Sequence, residues 1–430
     1  MKASERHQDT GSVALPGRAV TRENAAGWQR WRLTRHEFTP APRLSLAAYR
    51  RLSPQRRMVH DLHRAATHAN LVIQETPMSA AVSRVMWSRI QNNALKRTPA
   101  TRAGLMINGG GYQGKTETAC EVAAAFEDQW LMLHDQLNPH ATPGTRDMMA
   151  TVAYVQTPVT ATPKSICQAI LDFYGADHPK RMTLPQLVHA VRTSLFDHCT
   201  KILLLDDVTR LKMHREADQD ALDLVRSLMS MHVTLVLIGV GIPDSGLLSE
   251  GRHSRRGGQW IFPHHRATSP HDEAATQTER RFDLVDLDPF RYDTPAGIAA
   301  WADHLAGIEA QLRLFQARPG MLTDGAMPEY LFRRTGGIVG LLERLVEDGC
   351  ARAIETGTEC LTGGLFDDIE IDLGNVASRD PRAGEIPEVP PRRATATSLP
   401  AGKGKSRNTV FDDAGSPAAP VQEPTGTSRR

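Results

Sequence analysis

The sequence predicts an α/β fold, a parallel sheet covered by helices, and three observations predict it. The stretch Gly109-Gly110-Gly111-Tyr112-Gln113-Gly114-Lys115-Thr116 satisfies the G-x-x-x-x-G-K-[ST] pattern of a phosphate-cradling P-loop. That stretch stands between a short apolar run, Gly104 to Ile107, and an Ala/Glu-rich run, Thr116 to Phe126, which read as strand and helix. Downstream, near-continuous apolar runs alternate with helical stretches, the pattern of strands buried on both faces.

Composition sets the frame. The chain has 430 residues, 40% of them hydrophobic, enough for two or three compact units with a real core. A net charge of +2 selects no partner, although the first hundred residues carry many Arg and few acids. Cys120, Cys167, Cys199, Cys350 and Cys360 lack C-x-x-C spacing, and five cannot complete a disulfide framework. No apolar run approaches the roughly 20 residues that span a bilayer, and residues 1–11 are too polar for a signal peptide, so the expected location is cytoplasmic.

Taken in order, residues 1–25 are polar and read as disordered, and residues 26–98 as a basic helical N-terminal region. Trp28 to His36 interleaves aromatics with cations, which suits either a nucleic-acid surface or a helix packing its Trp residues on the core. A second helix should begin at Ser53 with Pro54 in its first position. Arg56, Arg57, His60, His63, Arg64 and His68 give it a basic face, read as solvated or nucleic-acid-facing. No Cys or carboxylate cluster accompanies those His residues, so no metal site is expected there. Met78 to Asn93 reads as a further helix.

The core, residues 99–290, continues with strands at Ala150 to Gln156, Lys201 to Asp207, Val233 to Gly239 and Phe282 to Leu287. Between them lie helices at Pro163 to Tyr174, Leu184 to Cys199 and around Ala221 to Met231. Residues 247–278 form a long basic loop with Arg252, Arg255, Arg256, His264, His265 and Arg266, suited to a nucleic acid, a partner or solvated disorder. Helices at Thr294 to Phe315 and Gly337 to Glu355 make a small helical lid over 291–373, and 377–430 reads as a disordered tail.

The chemistry follows from residue types. Glycines let backbone N–H groups close on a phosphate, and the helix N-terminus adds partial positive charge. Gly109 through Thr116, with the adjoining Glu117, are the expected ATP-binding residues. Lys115 would neutralise the terminal phosphates, and Thr116 would be a Mg²⁺ ligand. Asp206, at the end of a buried strand, fits the Walker B role toward Mg²⁺, and Asp207 could orient the attacking water. Arg280 and Arg281 are candidates for an arginine supplied in trans, or else are surface charges.

The order and wording of these motifs resemble the TniB/TnsC-type transposition ATPases of the AAA+ superfamily. The resemblance covers residues 50–373. It rests on the P-loop, Tyr154 to Pro158, Thr162 to Ser165, Ala169 to Asp172, Leu203 to Leu211, Leu235 to Gly239, Arg280 to Phe282, Thr335 to Gly340 and Arg352 to Glu355. It implies an AAA+ P-loop NTPase that uses ATP and Mg²⁺, assembles as a homo-oligomer on double-stranded DNA, and recruits or activates a transposase. ATP would sit between subunits, with Arg281 reaching across as a finger. Three departures stand out. Asp206-Asp207 replaces the usual Asp-Glu, Val240 and Gly241 occupy the sensor 1 position, and no Arg follows Gly336-Gly337, Arg344 being only a distant substitute. These departures favour slow hydrolysis with ATP acting as an assembly switch. Rival readings are a STAND-type signalling switch, a helicase- or clamp-loader-like ATPase, and a scaffold that binds nucleotide without turnover.

Overall fold

The computed structural model describes residues 19–179, 181–211, 219–245, 252–253, 260–261 and 281–371. The chain divides into two units, 1–387 and 388–430, and the second lies outside the described residues together with the expected tail.

Four helices precede the P-loop strand: α1 (Ala25–Thr34), α2 (Leu46–Arg50), α3 (Pro54–Ala69) and α4 (Pro77–Ala94). Their starts are chemically marked. Asn24, Ser45, Ser53 and Thr76 each accept a backbone N–H of the first turn, and Pro54 and Pro77 occupy first helical positions. The core then runs β1 (Gly104–Asn108), α5 (Lys115–Leu137), β2 (Val152–Gln156), α6 (Pro163–Tyr174), α7 (Leu184–Asp197), β3 (Ile202–Asp206), α8 (Gln219–Met229) and β4 (Thr234–Gly239). A two-stranded antiparallel pair, β5 (Arg252–His253) and β6 (Trp260–Ile261), is what the structure describes of the expected basic loop. The remainder of that loop lies outside the described residues.

With β7 (Phe282–Asp286) the main sheet has the order β2-β3-β4-β1-β7, every pairing parallel. β1, β3 and β4 are buried along their whole length, as their apolar sequences require. Register brings strand ends level, Gln156 beside Asp206 and Asn108 between Gly239 and Asp286. Side chains from these five strands and their flanking helices form one continuous apolar core. The C-terminal helices are α9 (Pro295–Gln311), α10 (Met327–Thr335), α11 (Val339–Thr356) and α12 (Gly363–Asp367), packed around Trp301, Leu331, Phe332, Leu342 and Phe366. Among the described residues no helix is long and apolar enough to cross a membrane.

Several expectations change. α5 runs on past Phe126 to Leu137, and the acid that breaks its apolar pattern, Glu127, is taken up by α1 and by the residue before β2. Glu127 accepts from Trp28 Nε1 (2.7 Å) and the Thr151 N–H (3.0 Å), with Arg32 Nε at 3.3 Å. Burial nevertheless raises the Glu127 pKa, against the pull of Trp28 and Arg32. The Trp/Arg stretch is accordingly a packing helix: Trp28 is 2% exposed and stacks near Tyr154, while Arg32 and Arg35 bridge to Asp128.

His60, His63, Arg64 and His68 of the basic face of α3 are likewise turned inward, contrary to their reading as solvated, while Arg56 is exposed and Arg57 half-buried. His60 and His63 bond the carbonyls of Pro42 and Thr39, and Arg64 pairs with Glu359 at 2.7 Å and Asp61 at 2.8 Å. Met58, Val59 and Leu62 face outward instead. α9 stops at Gln311, short of the expected Phe315, and α10 and α12 add to the two expected C-terminal helices.

Candidate nucleotide-binding site

The P-loop leaves β1 at Asn108 and enters α5 through Gly114, whose φ of 77° lies in the left-handed region that glycine adopts without strain. α5 has no side-chain cap, so its first N–H groups remain available to an anion. A Cβ on Gly111 or Gly114 would meet nothing within 4 Å, which marks the open side of the cradle. At Gly109 a Cβ would lie 2.5 Å from both Gln113 Oε1 and the Leu287 carbonyl, so Gly109 and Gln113 close the other side. Tyr112 is 68% exposed with φ 58°. Lys115 donates to the Gly110 carbonyl, and burial lowers its pKa against the opposing pull of Asp206 and Asp207.

β3 and β1 are separated by β4, and α5 crosses the gap so that Thr116 meets Asp206. Thr116 Oγ1 donates to Asp206 Oδ2 at 2.8 Å. The Tyr154 hydroxyl donates to the same oxygen at 2.8 Å and itself has the acceptor Gln156 Oε1 at 2.9 Å, and the Asp207 N–H donates to Asp206 Oδ1 at 2.9 Å. Asp206 is thus fixed in orientation beside the Thr116 hydroxyl. Asp207 follows in a left-handed conformation (φ 52°), which Asp tolerates better than bulkier residues. Its Oδ2 accepts from Gln156 Nε2 at 2.6 Å and faces Arg210 Nη2 at 2.9 Å. Arg210 in turn donates to the Thr157 carbonyl at 2.8 Å.

These groups fit Mg²⁺ and a nucleoside triphosphate. The open cradle of N–H groups and Lys115 would hold the phosphates, and Thr116 with Asp206 would hold the metal.

Glu117 is engaged by Arg22 in a two-pronged ion pair at 3.0 and 2.6 Å. On the far side of the loop, the Gly340 N–H at the start of α11 donates to the Tyr112 carbonyl at 2.8 Å. α11 then turns an acid inward. Burial raises the pKa of Glu343, and the charges of Glu117 and Glu347 add to the shift. Arg344 is more than half exposed, with Asp348 at 3.8 Å, so the distant substitute for a sensor 2 cation is on the solvent side of α11. The region after β4 is held by Asn108, whose Oδ1 accepts the Ile242 N–H at 3.1 Å and whose Nδ2 donates to Asp286 at 2.6 Å.

Arg281 is exposed and immediately precedes β7, the strand beside β1, at the end of the strands opposite the P-loop. A strand length of roughly 13 Å separates it from the level of its own phosphate cradle. Arg280 lies outside the described residues.

Sequence reasoning had not singled out Gln156, Tyr154, Arg210, Asn108 or Arg22 for the site. The first had a signal: a polar residue ending an apolar strand, which parallel pairing sets level with Asp206.

In comparison with known proteins, a family model described as an AAA domain matches residues 105–244. A search of curated proteins returned no match. Among solved structures the chain is similar to Orc1 of Aeropyrum pernix in complex with DNA, at 13% identity and TM-score 0.48, over 70% of this chain and 67% of that one. It is similar to Cdc6p of Pyrobaculum aerophilum at 12% identity and TM-score 0.41, over 69% and 67%. It also resembles domain III of the Thermotoga maritima replication initiation protein DnaA, at 13% identity and TM-score 0.35, over 68% and 90%. The P-loop between β1 and α5 and the strand order agree with the match of residues 105–244 to the AAA domain model: this part of the chain has the P-loop NTPase fold.

Proposed function

We propose that the chain is an ATP-dependent switch that binds Mg²⁺·ATP at the P-loop, assembles on double-stranded DNA as a homo-oligomer, and recruits or activates a transposase. The observation that carries the nucleotide part is the 2.8 Å contact between Thr116 and Asp206, two residues 90 positions apart in sequence, beside an uncapped helix N-terminus. Bound Mg²⁺ would supply charge neutralisation at the phosphates. Lys115 holds the terminal phosphate, Asp206 keeps one carboxylate oxygen toward the metal position, and Asp207 accepts a proton from water. Gln156 and Arg210 both engage the Asp207 oxygen that would take that proton, so water reaches it only by displacing one of them, which supports slow turnover. Arg281, at the opposite end of the strands from its own cradle, would serve a neighbouring subunit. The DNA and transposase parts rest on the motif resemblance.

The test is binding of the full chain to non-specific duplex DNA with ATP, with ADP and without nucleotide, across a salt series. Expected are ATP-dependent complexes that weaken steeply with salt, and loss of both nucleotide and DNA binding in Lys115→Ala. A Lys115→Ala variant that still bound ATP and assembled on DNA would overturn the switch. Nucleotide binding without any DNA complex at low salt would favour a STAND-type signalling switch.

A further inference from the structure

Arg22 lies just ahead of α1, far from every motif of the P-loop in sequence, yet it contacts both walls of the metal position. Its guanidinium forms two hydrogen bonds with Glu117, the residue after Thr116, at 3.0 and 2.6 Å. It also lies 5.6 Å from the centroid of the Tyr154 ring and 5.0 Å from that of Trp31. Tyr154 is the residue whose hydroxyl orients Asp206 Oδ2, the same oxygen that Thr116 meets. A chain of direct contacts therefore runs from the N-terminal segment through Glu117 to Thr116, and through Tyr154 to Asp206.

Two features make this more than a surface ion pair. The Arg22 side chain is half-buried, 22% exposed, and burial alone would lower its pKa, yet the hydrogen bonds and charge of Glu117 outweigh that and raise it. The charge of Glu117 also reaches an acid on α11, Glu343, and adds to the rise in its pKa that burial causes. Without Arg22, the carboxylate of Glu117 would face Glu343 uncompensated at the head of the helix that must accept a phosphate.

We propose that Arg22 is a positioning residue for the Thr116–Asp206 metal pair, so that docking of the N-terminal segment and binding of Mg²⁺·nucleotide are thermodynamically linked. This rests on the reading of the P-loop as a Mg²⁺·nucleotide site. Arg22 fixes Glu117, and with it the first turn of α5, and its charge over the Tyr154 ring holds that ring in place to orient Asp206. Linkage is reciprocal, so metal-loaded nucleotide should in turn tighten the docking of residues 19–35.

The experiment measures binding of a fluorescent ADP to the full chain by anisotropy, in excess MgCl₂ and in EDTA, for wild type, Arg22→Ala, Arg22→Lys and Arg35→Ala. Arg35→Ala is the control, because Arg35, at the C-terminal end of α1, ties the same N-terminal segment to α5 through Asp128 at 2.7 Å and Glu121 at 3.3 Å without touching Glu117 or Tyr154. Expected is an affinity loss of about 10- to 100-fold in Arg22→Ala with Mg²⁺, little change in EDTA, partial rescue by Lys, which keeps charge but not the fork, and near-wild-type binding for Arg35→Ala. Equal losses with and without Mg²⁺, or equal losses in Arg22→Ala and Arg35→Ala, would reduce Arg22 to a docking contact and overturn the proposal. If wild type bound no nucleotide in either buffer, the nucleotide reading itself would fall.

Discussion

Asp207 shows how much a single carboxylate is asked to do at this site. It sits in a left-handed conformation, one bond beyond the acid that faces Thr116, and its Oδ2 is already engaged by Gln156 and Arg210. An amide of the same shape keeps the packing but removes the negative charge. Asp207→Asn is therefore expected to preserve nucleotide affinity while phosphate release falls by about 10²-fold or more, checked by pairing steady-state phosphate release with fluorescent-nucleotide binding. A parallel loss of affinity would place Asp207 among the binding groups instead. At this scale the P-loop, Thr116 and Asp206 were legible because their types and spacing carry the chemistry. Gln156 and Tyr154 became meaningful only once β2 and β3 were known to be neighbours, and Arg22 gave no signal for the site, since the partners that tie it there lie 95 residues away at Glu117 and further still at Tyr154.

Two helices show what periodicity delivers and what it leaves open. The pattern of α3 fixes a helix but not which stripe is buried, since His60, His63 and Arg64 can be satisfied internally only by carbonyls and acids from remote segments. α1 is the counterpart. Its Trp28 fills the core and donates to buried Glu127. Trp28→Ala should lose about 3–5 kcal/mol of stability for the cavity, with a further cost for a carboxylate stripped of a donor. A denaturant midpoint barely changed from wild type would refute the packing role of α1. At the opposite wall, α11 touches the P-loop through Gly340, where an added Cβ would lie 2.8 Å from the Tyr112 carbonyl and 3.2 Å from Tyr112 Cβ. Gly340→Val must push α11 from the loop, at about 1–3 kcal/mol of stability and with weaker nucleotide binding. Both are read by thermal melts of the variant with and without Mg²⁺·ADP, and undiminished stabilisation by the nucleotide would show that this contact does not shape the site.

For the molecule as a whole, apolar runs identified every strand of the main sheet within a residue or two, but not their order, because a run buried on both faces reads the same beside any neighbour. Nor does the sequence show that imidazoles are sealed into the half of the molecule built from α3 and the C-terminal helices. His68 accepts the Arg313 N–H at 2.9 Å, and burial, with Arg64 and Arg313 nearby, lowers its pKa to about 4. His304, packed between Phe290 and Trp301 with neither ring nitrogen bonded, is lowered to about 4 by burial alone. Both therefore fold in the neutral form. The sign follows from proton counts: between the unfolded value near 6.5 and the folded value near 4, the unfolded chain binds more protons, so stability rises with pH across that window. Their stabilising share is whole above about pH 6.5 and drains away as pH falls toward 4, by up to about 3 kcal/mol for each ring. Chemical denaturation at pH 7 and pH 5 should show this drop in wild type and a shallower one in the His68→Gln/His304→Leu double variant, in which the Gln carbonyl can still accept from Arg313. Equal pH slopes in the two proteins would mean that the acid sensitivity arises elsewhere.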